Sequence, residues 1–292
     1  MKIQSFLMIS CYRGPPLQAL FIRLEINPPF PSPFKFKFPN SKLDSPALLV
    51  YSGATSLGLF TIGLAKLIRT PGGNPYRIFA TASPKNHDKL LALGVEAVYD
   101  YRSPRWPDDL RKATNGGISY AVDCISEDTS TARISQAFID TGGKIAVIRK
   151  SAWFKEGVRE DVTPLYGAVW SGLGHEIIYN SQFYIKQSSD TSKTKLSINL
   201  DEILPASPSW REFAVQFFKF LSRGHPQDPT IFPIPANPIR LMPGGLECIA
   251  SDAFVLIGSG KVADRVSSVK QHESREWMKP ISAEKLVYRV GE

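Results

Sequence analysis

Between residues 47 and 150 the chain alternates short apolar runs with helix-like stretches, and this alternation limits its fold more than any other feature. The runs have the length and composition of buried strands; they are ALLVYS, YRIFATAS, AVYDY, YAVDCI and KIAVIRK. The intervening stretches carry apolar residues three and four positions apart; they are LGLFTIGLAKLI, NHDKLLALG, DDLRKAT and STARISQAFIDTGG. Strands that alternate with helices pair in parallel through right-handed crossovers. The sequence therefore predicts an α/β fold with a doubly wound parallel sheet.

The regions on either side of this alternation are less regular. The first 46 residues, rich in proline and aromatic side chains, show no helical or strand periodicity and are typical of a linker with exposed aromatics. Residues 181–209 predict a long surface loop, and SWREFAVQFFKFLSRG then predicts an amphipathic helix with Ser209 as its N-cap. The tail EKLVYRV predicts a strand. We expect three parts, at 1–46, 47–205 and 206–292.

Composition excludes several classes of protein. No apolar stretch reaches the roughly 18 residues that a membrane span needs, and MKIQSFLMIS is too short for a good signal peptide, so the cytoplasm is expected. The net charge of +8 is scattered over the chain and fits either a solvated surface or attraction for phosphorylated cofactors, and no nucleic-acid module is visible. Cys11, Cys124 and Cys248 have no partner at metal-ligand spacing, which predicts free thiols and no metal site.

The first predicted strand runs into a loop with almost no side chains, LLVYSGATSLG at 48–58. In a doubly wound sheet the first strand-to-helix turn can hold a pyrophosphate against the helix N-terminus. Gly53 and Gly58 remove Cβ atoms that would block such an approach, and Thr55 and Ser56 add hydroxyl donors. Because the middle glycine of the usual fingerprint is missing, glycines that serve only packing fit equally well.

The end of the second predicted strand indicates which nucleotide is bound. An Asp or Glu there usually meets a free ribose 2′-hydroxyl, but this strand runs into Ser83, Pro84, Lys85 and Asn86. Ser83 can donate a hydrogen bond to a 2′-phosphate and Lys85 can supply charge, so NADP(H) is favoured. The alternative is that Ser83 and Asn86 cap the next helix.

Several motifs, in order, resemble the fungal trans-acting enoyl reductases of polyketide biosynthesis, which belong to the medium-chain dehydrogenase/reductase superfamily and are close to zinc-free quinone reductases. The motifs are LLVYSGATSLGLFTIGLAKL, IFATASPKNHDKLLALGVEAVYDYRSP, YAVDCIS and SAEKLVYRV. LQALFIRLEINPPFPSP also resembles the helix and proline-containing linker ahead of the family's nucleotide domain. The resemblance implies a Rossmann-like NADP(H)-binding domain at 47–205 and a remnant of a second, catalytic domain formed by the termini.

The resemblance also assigns residues to the cofactor. It implies that Ala54 to Leu57 hold the pyrophosphate, Ser83 to Asn86 the 2′-phosphate, and that Tyr101 lies near the adenosine. Two further pairs are expected near the cofactor. The full expected set is Gly53, Ala54, Thr55, Ser56, Leu57, Gly58, Ser83, Pro84, Lys85, Asn86, Tyr101, Ile148, Arg149, Ile281 and Ser282. Of these, Arg149 stands where the family has a smaller polar residue.

The stretch AVWSGLGHEI matches a substrate-lining segment of the family, although its residues alone predict an apolar strand with a glycine turn. The expected acyl-chain wall is Trp170, Ser171, Gly172, Leu173 and Gly174. Three departures from the family stand out. Most of an N-terminal GroES-like barrel is missing, Pro15 and Pro16 replace a substrate-facing threonine, and residues 262–280 form a polar insert, expected to be an exposed loop or a gene-model error.

The family's reaction delivers hydride from NADPH to the β-carbon of an enoyl thioester. The sequence singles out no catalytic acid, and Asp123 is expected to organise the turn after the fourth strand rather than to transfer a proton. The first hypothesis is an NADPH-dependent enoyl reductase, monomeric or homodimeric, acting in trans on carrier-bound intermediates of a polyketide synthase. The alternatives are a generic quinone or alkenal reductase and a truncated, inactive nucleotide-binding module.

Overall fold

The structure is a computed structural model that describes residues 14–36, 45–150, 153–182, 199–222, 234, 236–257, 261, 275–281 and 283–290. For residues 177–182 and 199–204 it describes the backbone. Several sequence-based predictions fall on residues outside the described ones: 1–13 with Cys11 and 37–44 of the N-terminal segment, 183–198 of the expected surface loop, 262–274 of the insert, and Ser282 of the cofactor set.

A six-stranded parallel sheet forms the centre of the fold, with the strand order β3-β2-β1-β4-β5-β6. Its strands are β1 (Ala47–Tyr51), β2 (Arg77–Ala82), β3 (Ala97–Asp100), β4 (Tyr120–Asp123), β5 (Gly143–Val147) and β6 (Val162–Tyr166). This topology confirms the doubly wound α/β prediction, and the first five strands are those that the apolar runs predict. The sequence did not reveal β6, because this edge strand contains Pro164 and buries only Val162.

Helices connect the strands as predicted. The α-helices are α1 (Ser56–Ala65), α2 (His87–Ala92), α3 (Trp106–Ala113), α4 (Ser130–Ser135), α5 (Pro208–Ser222) and α6 (Phe254–Ile257). The prediction of Ser209 as N-cap is wrong, since α5 begins at Pro208 and Ser209 is its second residue. A proline suits the first position of a helix, where its fixed φ is preorganised and no N–H is needed. Ser207, whose carbonyl accepts from the Trp210 amide at 3.0 Å, precedes it.

Both faces of the sheet are covered. Leu48 and Val50 of β1 point into a core formed with α1, α2 and α5, whereas Leu49 and Tyr51 point into a second core formed with α3 and α4. Strands buried on both faces need apolar residues at every position, which explains why they read as continuous apolar runs.

The N-terminal segment completes the first core. A π-helical turn, Gln18–Arg23, lies where the resemblance predicts a helix. Phe30 follows it and is only 7% exposed. Its ring centroid lies 5.4 Å from that of Phe21 and 5.3 Å from that of Phe213 in α5. The expectation of exposed aromatics is therefore wrong at Phe30, because α5 offers an apolar face that the sequence of residues 1–46 does not show.

Two small sheets lie in the second half of the chain. β7 (Ile177–Gln182) pairs antiparallel with β8 (Asn199–Leu204), so the prediction of a surface loop over 181–209 is wrong at 181–182 and 199–204, which belong to strands. β9 (Ile239–Leu241) pairs in parallel with β10 (Lys285–Val287), which confirms the predicted terminal strand. The segment AVWSGLGHEI forms a 3-10 turn at Val169–Leu173 instead of a strand. Within the described residues, no helix has the length and apolarity to cross a membrane.

Candidate functional site

The loops that follow β1 and β2 lie side by side at the carboxyl edge of the sheet. The two strands are parallel neighbours, with Val50 of β1 opposite Ala80 of β2. Thr81 joins their ends, because its Oγ1 accepts from the Ser52 amide at 2.9 Å and its carbonyl oxygen accepts from the Gly53 amide at 2.8 Å. The predicted pyrophosphate loop and the predicted 2′-phosphate loop therefore occupy one edge, where doubly wound sheets bind ligands.

The two glycines of the first loop allow close packing. A Cβ on Gly58 would lie 2.6 Å from the carbonyl oxygen of Gly53, and a Cβ on Gly53 would lie 3.0 Å from the Cβ of Ala80. Both missing side chains would thus point into the protein. Close packing within the protein, the alternative left open by the sequence, therefore explains these glycines. The expectation that they make room for a ligand does not. Their contact with a cofactor stays a prediction.

Thr55 is the N-cap of α1. Its Oγ1 accepts from the Gly58 amide at 3.0 Å and donates to the carbonyl oxygen of Ser52 at 2.9 Å. The Thr55 hydroxyl is therefore engaged within the loop, contrary to the expectation that it serves as a donor for a ligand. The amides of Ser56 and Leu57, at the start of the helix, have no intrahelical acceptor by geometry, and the helix dipole adds positive potential there. These amides are suited to an anion.

Lys285 brings a cation to the same helix end, and sequence reasoning missed it. Its Nζ lies 3.4 Å from the Ser56 Oγ, which donates to the carbonyl oxygen of Ala283 at 3.2 Å. Burial lowers the pKa of Lys285 to about 8. The ammonium group and the positive end of the helix dipole both raise the electrostatic potential at this point, which favours an anion there. No local pattern could have revealed this contact, which spans 229 positions.

The loop after β2 is basic and does not cap the next helix. Neither Ser83 nor Asn86 makes a side-chain capping bond, so the capping alternative is wrong. The Ser83 Oγ instead accepts from Arg102 Nη2 at 3.0 Å. Pro84 and Lys85 are exposed. The Ser83 hydroxyl and Lys85 after β2, together with Arg102 after β3, form a donor set that fits a phosphate.

Arg133 of α4 fixes the loop after β3, which contains the predicted adenosine contact Tyr101. Its Nη1 donates to the Tyr101 carbonyl oxygen at 2.6 Å, and its Nη2 donates to the carbonyl oxygen of Ser103. The guanidinium also lies over the Trp106 ring, 5.8 Å from its centroid. Tyr101 is half-buried beside this anchor and lies at the same sheet edge as the two phosphate loops.

Asp123, at the end of β4, organises the following turn, as expected. Its Oδ1 accepts from the amides of Ile125 at 3.1 Å and Ser126 at 2.7 Å, and its Oδ2 accepts from the hydroxyls of Ser130 at 2.6 Å and Thr131 at 3.2 Å. Burial raises the pKa of this carboxyl despite these hydrogen bonds. Its acceptor atoms are directed into the turn, which is a structural role.

The pair predicted near the nicotinamide follows β5. The Ile148 amide donates to the Ser126 Oγ at 2.9 Å. Arg149 Nη1 lies 2.7 Å from Oε1 of Glu127, a carboxylate that is only 9% exposed. An ion pair of two long side chains thus stands at the strand end where the resemblance predicts a smaller polar residue.

The expected acyl-chain wall, Trp170 to Gly174, packs between the N-terminal segment and α5. Gln18 Nε2 donates to the Ala168 carbonyl oxygen at 2.5 Å, and a Cβ on Gly174 would lie 2.5 Å from the Arg211 Cβ. Trp170 is 47% exposed and Leu173 is 49% exposed. Its role as an acyl-chain wall stays a prediction.

The last expected cofactor pair is only half described. Ile281 packs against the small apolar cluster of Met242, Leu256 and Met278, while Ser282 lies outside the described residues. Ile281 is nevertheless two positions from Ala283, whose carbonyl oxygen binds Ser56. The terminal segment therefore reaches the N-terminus of α1, although the contact is made by Ala283 and Lys285.

Comparison with known proteins finds relatives among enoyl reductases. No protein-family model matches the chain. The chain is 31% identical over 206 residues to the trans-enoyl reductase FSL5 of Gibberella zeae, which is 69% of this chain and 48% of that protein. It is 29% identical over 233 residues to the enoyl reductase cheB of Chaetomium globosum, or 78% of this chain and 52% of that protein. The chain thus spans about half the length of the curated relatives it matches.

Among solved structures, the fold is similar to the crystal structure of the CurK enoyl reductase. The TM-score is 0.51 at 14% sequence identity, over 82% of this chain and 55% of that chain. At this identity the similarity shows a common fold and carries no information on substrate.

Proposed function

From the premise that the chain belongs to the family of the fungal trans-enoyl reductases, we propose that it binds NADPH and reduces α,β-unsaturated acyl thioesters held by a polyketide synthase. The supporting observation is the convergence on Ser56 of helix-start amides and the Lys285 ammonium group. The ammonium group and the start of the helix both favour an anion at this point, and a dinucleotide pyrophosphate supplies one.

The residues fit NADPH better than NADH. No carboxylate follows β2 at the position that would meet a free 2′-hydroxyl; Ser83 and Lys85 stand there instead. When bound, the nicotinamide ring supplies the hydride. The chain's own part is to hold the pyrophosphate with the amides of Ser56 and Leu57 and with Lys285, and to hold the 2′-phosphate after β2.

Turnover of NADPH with matched acceptors tests the reaction. The full chain is mixed with NADPH and either crotonyl-pantetheine, a short enoyl thioester, or a small quinone. Faster oxidation with the thioester is expected, and faster oxidation with the quinone would instead support a generic quinone or alkenal reductase. A preference for NADPH over NADH of at least roughly tenfold in dissociation constant is expected, and equal affinity would overturn the cofactor assignment.

Lys85 offers a matched test of the cofactor site. Lys85→Ala is expected to lower NADPH affinity and leave NADH affinity unchanged, since only the former carries the 2′-phosphate. Lys112→Ala, at an exposed lysine in the last turn of α3, is the control and should change neither. Equal losses for both cofactors in Lys85→Ala would contradict the assignment.

A second candidate is a nucleotide-binding unit without turnover. It is favoured by the Arg149–Glu127 ion pair, which puts a large charged side chain at the predicted nicotinamide end of the sheet. This candidate predicts NADPH binding, seen as a change in NADPH fluorescence, with no oxidation by the thioester or the quinone. Arg149→Ser tests whether the arginine side chain is what prevents the reaction. If it is, a small polar residue at this position should permit turnover.

A further inference from the structure

Arg102 is a cation that neither the sequence motifs nor the proposed reaction assigns, and it lies at the end of β3 beside the predicted 2′-phosphate loop. Ala82 and Asp100 pair across the ends of β2 and β3. The residues that follow them are therefore neighbours, and Arg102 Nη2 donates to the Ser83 Oγ at 3.0 Å across 19 positions of sequence.

The surroundings of Arg102 hold its guanidinium in place without burying it. Its Cζ lies 5.1 Å from the centroid of the Tyr101 ring, which is a cation–π contact. Its Nε lies 3.8 Å from Oδ1 of Asp100, and its backbone amide donates to the same oxygen at 3.1 Å. The side chain is still 57% exposed. The Arg102 guanidinium is thus oriented by Ser83, Tyr101 and Asp100 and is still accessible to a ligand.

We propose that Arg102, together with Ser83, binds the 2′-phosphate of NADPH and sets the preference for NADPH over NADH. The inference rests on the proposed function and adds a specificity-determining residue to it. A guanidinium presents a planar fork that matches two oxygens of one phosphate, whereas Lys85 supplies a point charge. Because Ser83 accepts from Arg102, its hydroxyl proton remains available to donate to the same phosphate.

Asp100 makes the inference sharper. Its carboxylate competes with a phosphate for the Arg102 guanidinium, and it repels a 2′-phosphate but not a 2′-hydroxyl. Removing this charge should therefore strengthen binding of a 2′-phosphorylated nucleotide. If Arg102 served only to pair with Asp100 on the surface, the same change would leave nucleotide affinity unaltered.

Two adenine nucleotides that differ only by the 2′-phosphate provide the probe. The affinities of the full chain for 2′,5′-ADP and 5′-AMP are measured by titration calorimetry. Arg102→Gln is expected to weaken binding of 2′,5′-ADP about tenfold and binding of 5′-AMP by less than about twofold, and Arg102→Lys should fall between wild type and Arg102→Gln. Arg105→Gln, at an exposed arginine in the same loop, is the control and should change neither. Asp100→Asn, which keeps the acceptor for the Arg102 amide, should bind 2′,5′-ADP more tightly.

Equal losses for both nucleotides in Arg102→Gln would overturn the inference and assign Arg102 a role in supporting the loop. An unchanged affinity for 2′,5′-ADP would overturn it as well. A chain that binds 2′,5′-ADP through Arg102 but oxidises no NADPH with an enoyl thioester would refute the proposed reaction and leave this inference standing. A chain that binds neither nucleotide would refute both.

Discussion

Lys285 Nζ lies 3.4 Å from the Ser56 Oγ, so that a residue near the C-terminal end supplies a cation to the first turn of α1. The contact connects β10 to the helix that follows β1, and it is held in place by the hydrogen bond from Ser56 to the Ala283 carbonyl oxygen at 3.2 Å. The positive potential at this helix end therefore depends on two parts of the chain that are far apart in sequence.

Replacing the ammonium group should weaken cofactor binding. Lys285→Gln is expected to lower the affinities for NADPH and NADH alike, by about five- to tenfold, because the pyrophosphate is common to both. Fluorescence titration of each cofactor measures this. Lys112→Gln serves as the control for loss of an exposed lysine. A loss confined to NADPH would instead place Lys285 at the 2′-phosphate.

The same lysine should make cofactor affinity depend on pH. Its pKa of about 8 means that the ammonium group loses its proton as pH rises through that value. Since the bound anion favours the protonated form, the dissociation constant should rise above about pH 8 and level off once the lysine of the complex has also lost its proton. Titrations at several pH values check this. Lys285→Gln should remove this part of the pH dependence, and an identical profile in the variant would contradict the assignment.

The close contact between Gly58 and Gly53 should make this position intolerant of any side chain. In Gly58→Ala the new methyl would lie 2.6 Å from backbone atoms of Gly53, which cannot move without displacing the loop, so a loss of about 1–3 kcal/mol in the free energy of unfolding is expected. Urea denaturation followed by circular dichroism measures it. Gly72→Ala is the matched control, because its Cβ would meet its nearest neighbour at 3.7 Å. An equal cost at both sites would show that the loss is not due to this contact.

How much the sequence could predict follows from how local the relevant signal is. Strands β1, β2, β4 and β5 were predictable because burial on both faces gives continuous apolar runs. The edge strand β3 has no fully buried residue and was predicted from the β-prone residues of AVYDY, whereas β6 contains a proline and buries only its first residue. Because an apolar run shows where a strand ends, the sequence also predicted that Ser83 stands directly after β2. Lys285 and Arg102 could not be found, because each acts through a contact with a residue that is remote in sequence.

The reasons behind a correct prediction were also beyond the sequence. Two glycines in the first loop were expected to clear space for a ligand, but the direction of a missing Cβ depends on how α1 packs, and here both Cβ atoms would point inward. Thr55 similarly was expected to face a ligand, and it caps α1 instead. A sequence indicates which residue types stand in a turn, whereas their orientation is decided by tertiary packing.

Asp123 provides a test that separates a structural carboxylate from a catalytic one. Burial raises the pKa of this carboxyl above its ordinary value of 3.8. Between these two pKa values the folded chain holds more protons than the unfolded chain. The contribution of the carboxyl to the free energy of unfolding therefore falls as pH rises through that range. Asp123→Asn keeps an acceptor for the amides of Ile125 and Ser126 and should therefore cost less stability than Asp123→Ala. The difference in free energy of unfolding between wild type and Asp123→Asn should grow in favour of wild type as pH is lowered through that range. Urea denaturation at several pH values measures both variants. NADPH oxidation by the enoyl thioester should persist in folded Asp123→Asn, and its abolition without loss of stability or cofactor binding would mean that the carboxylate takes part in the reaction.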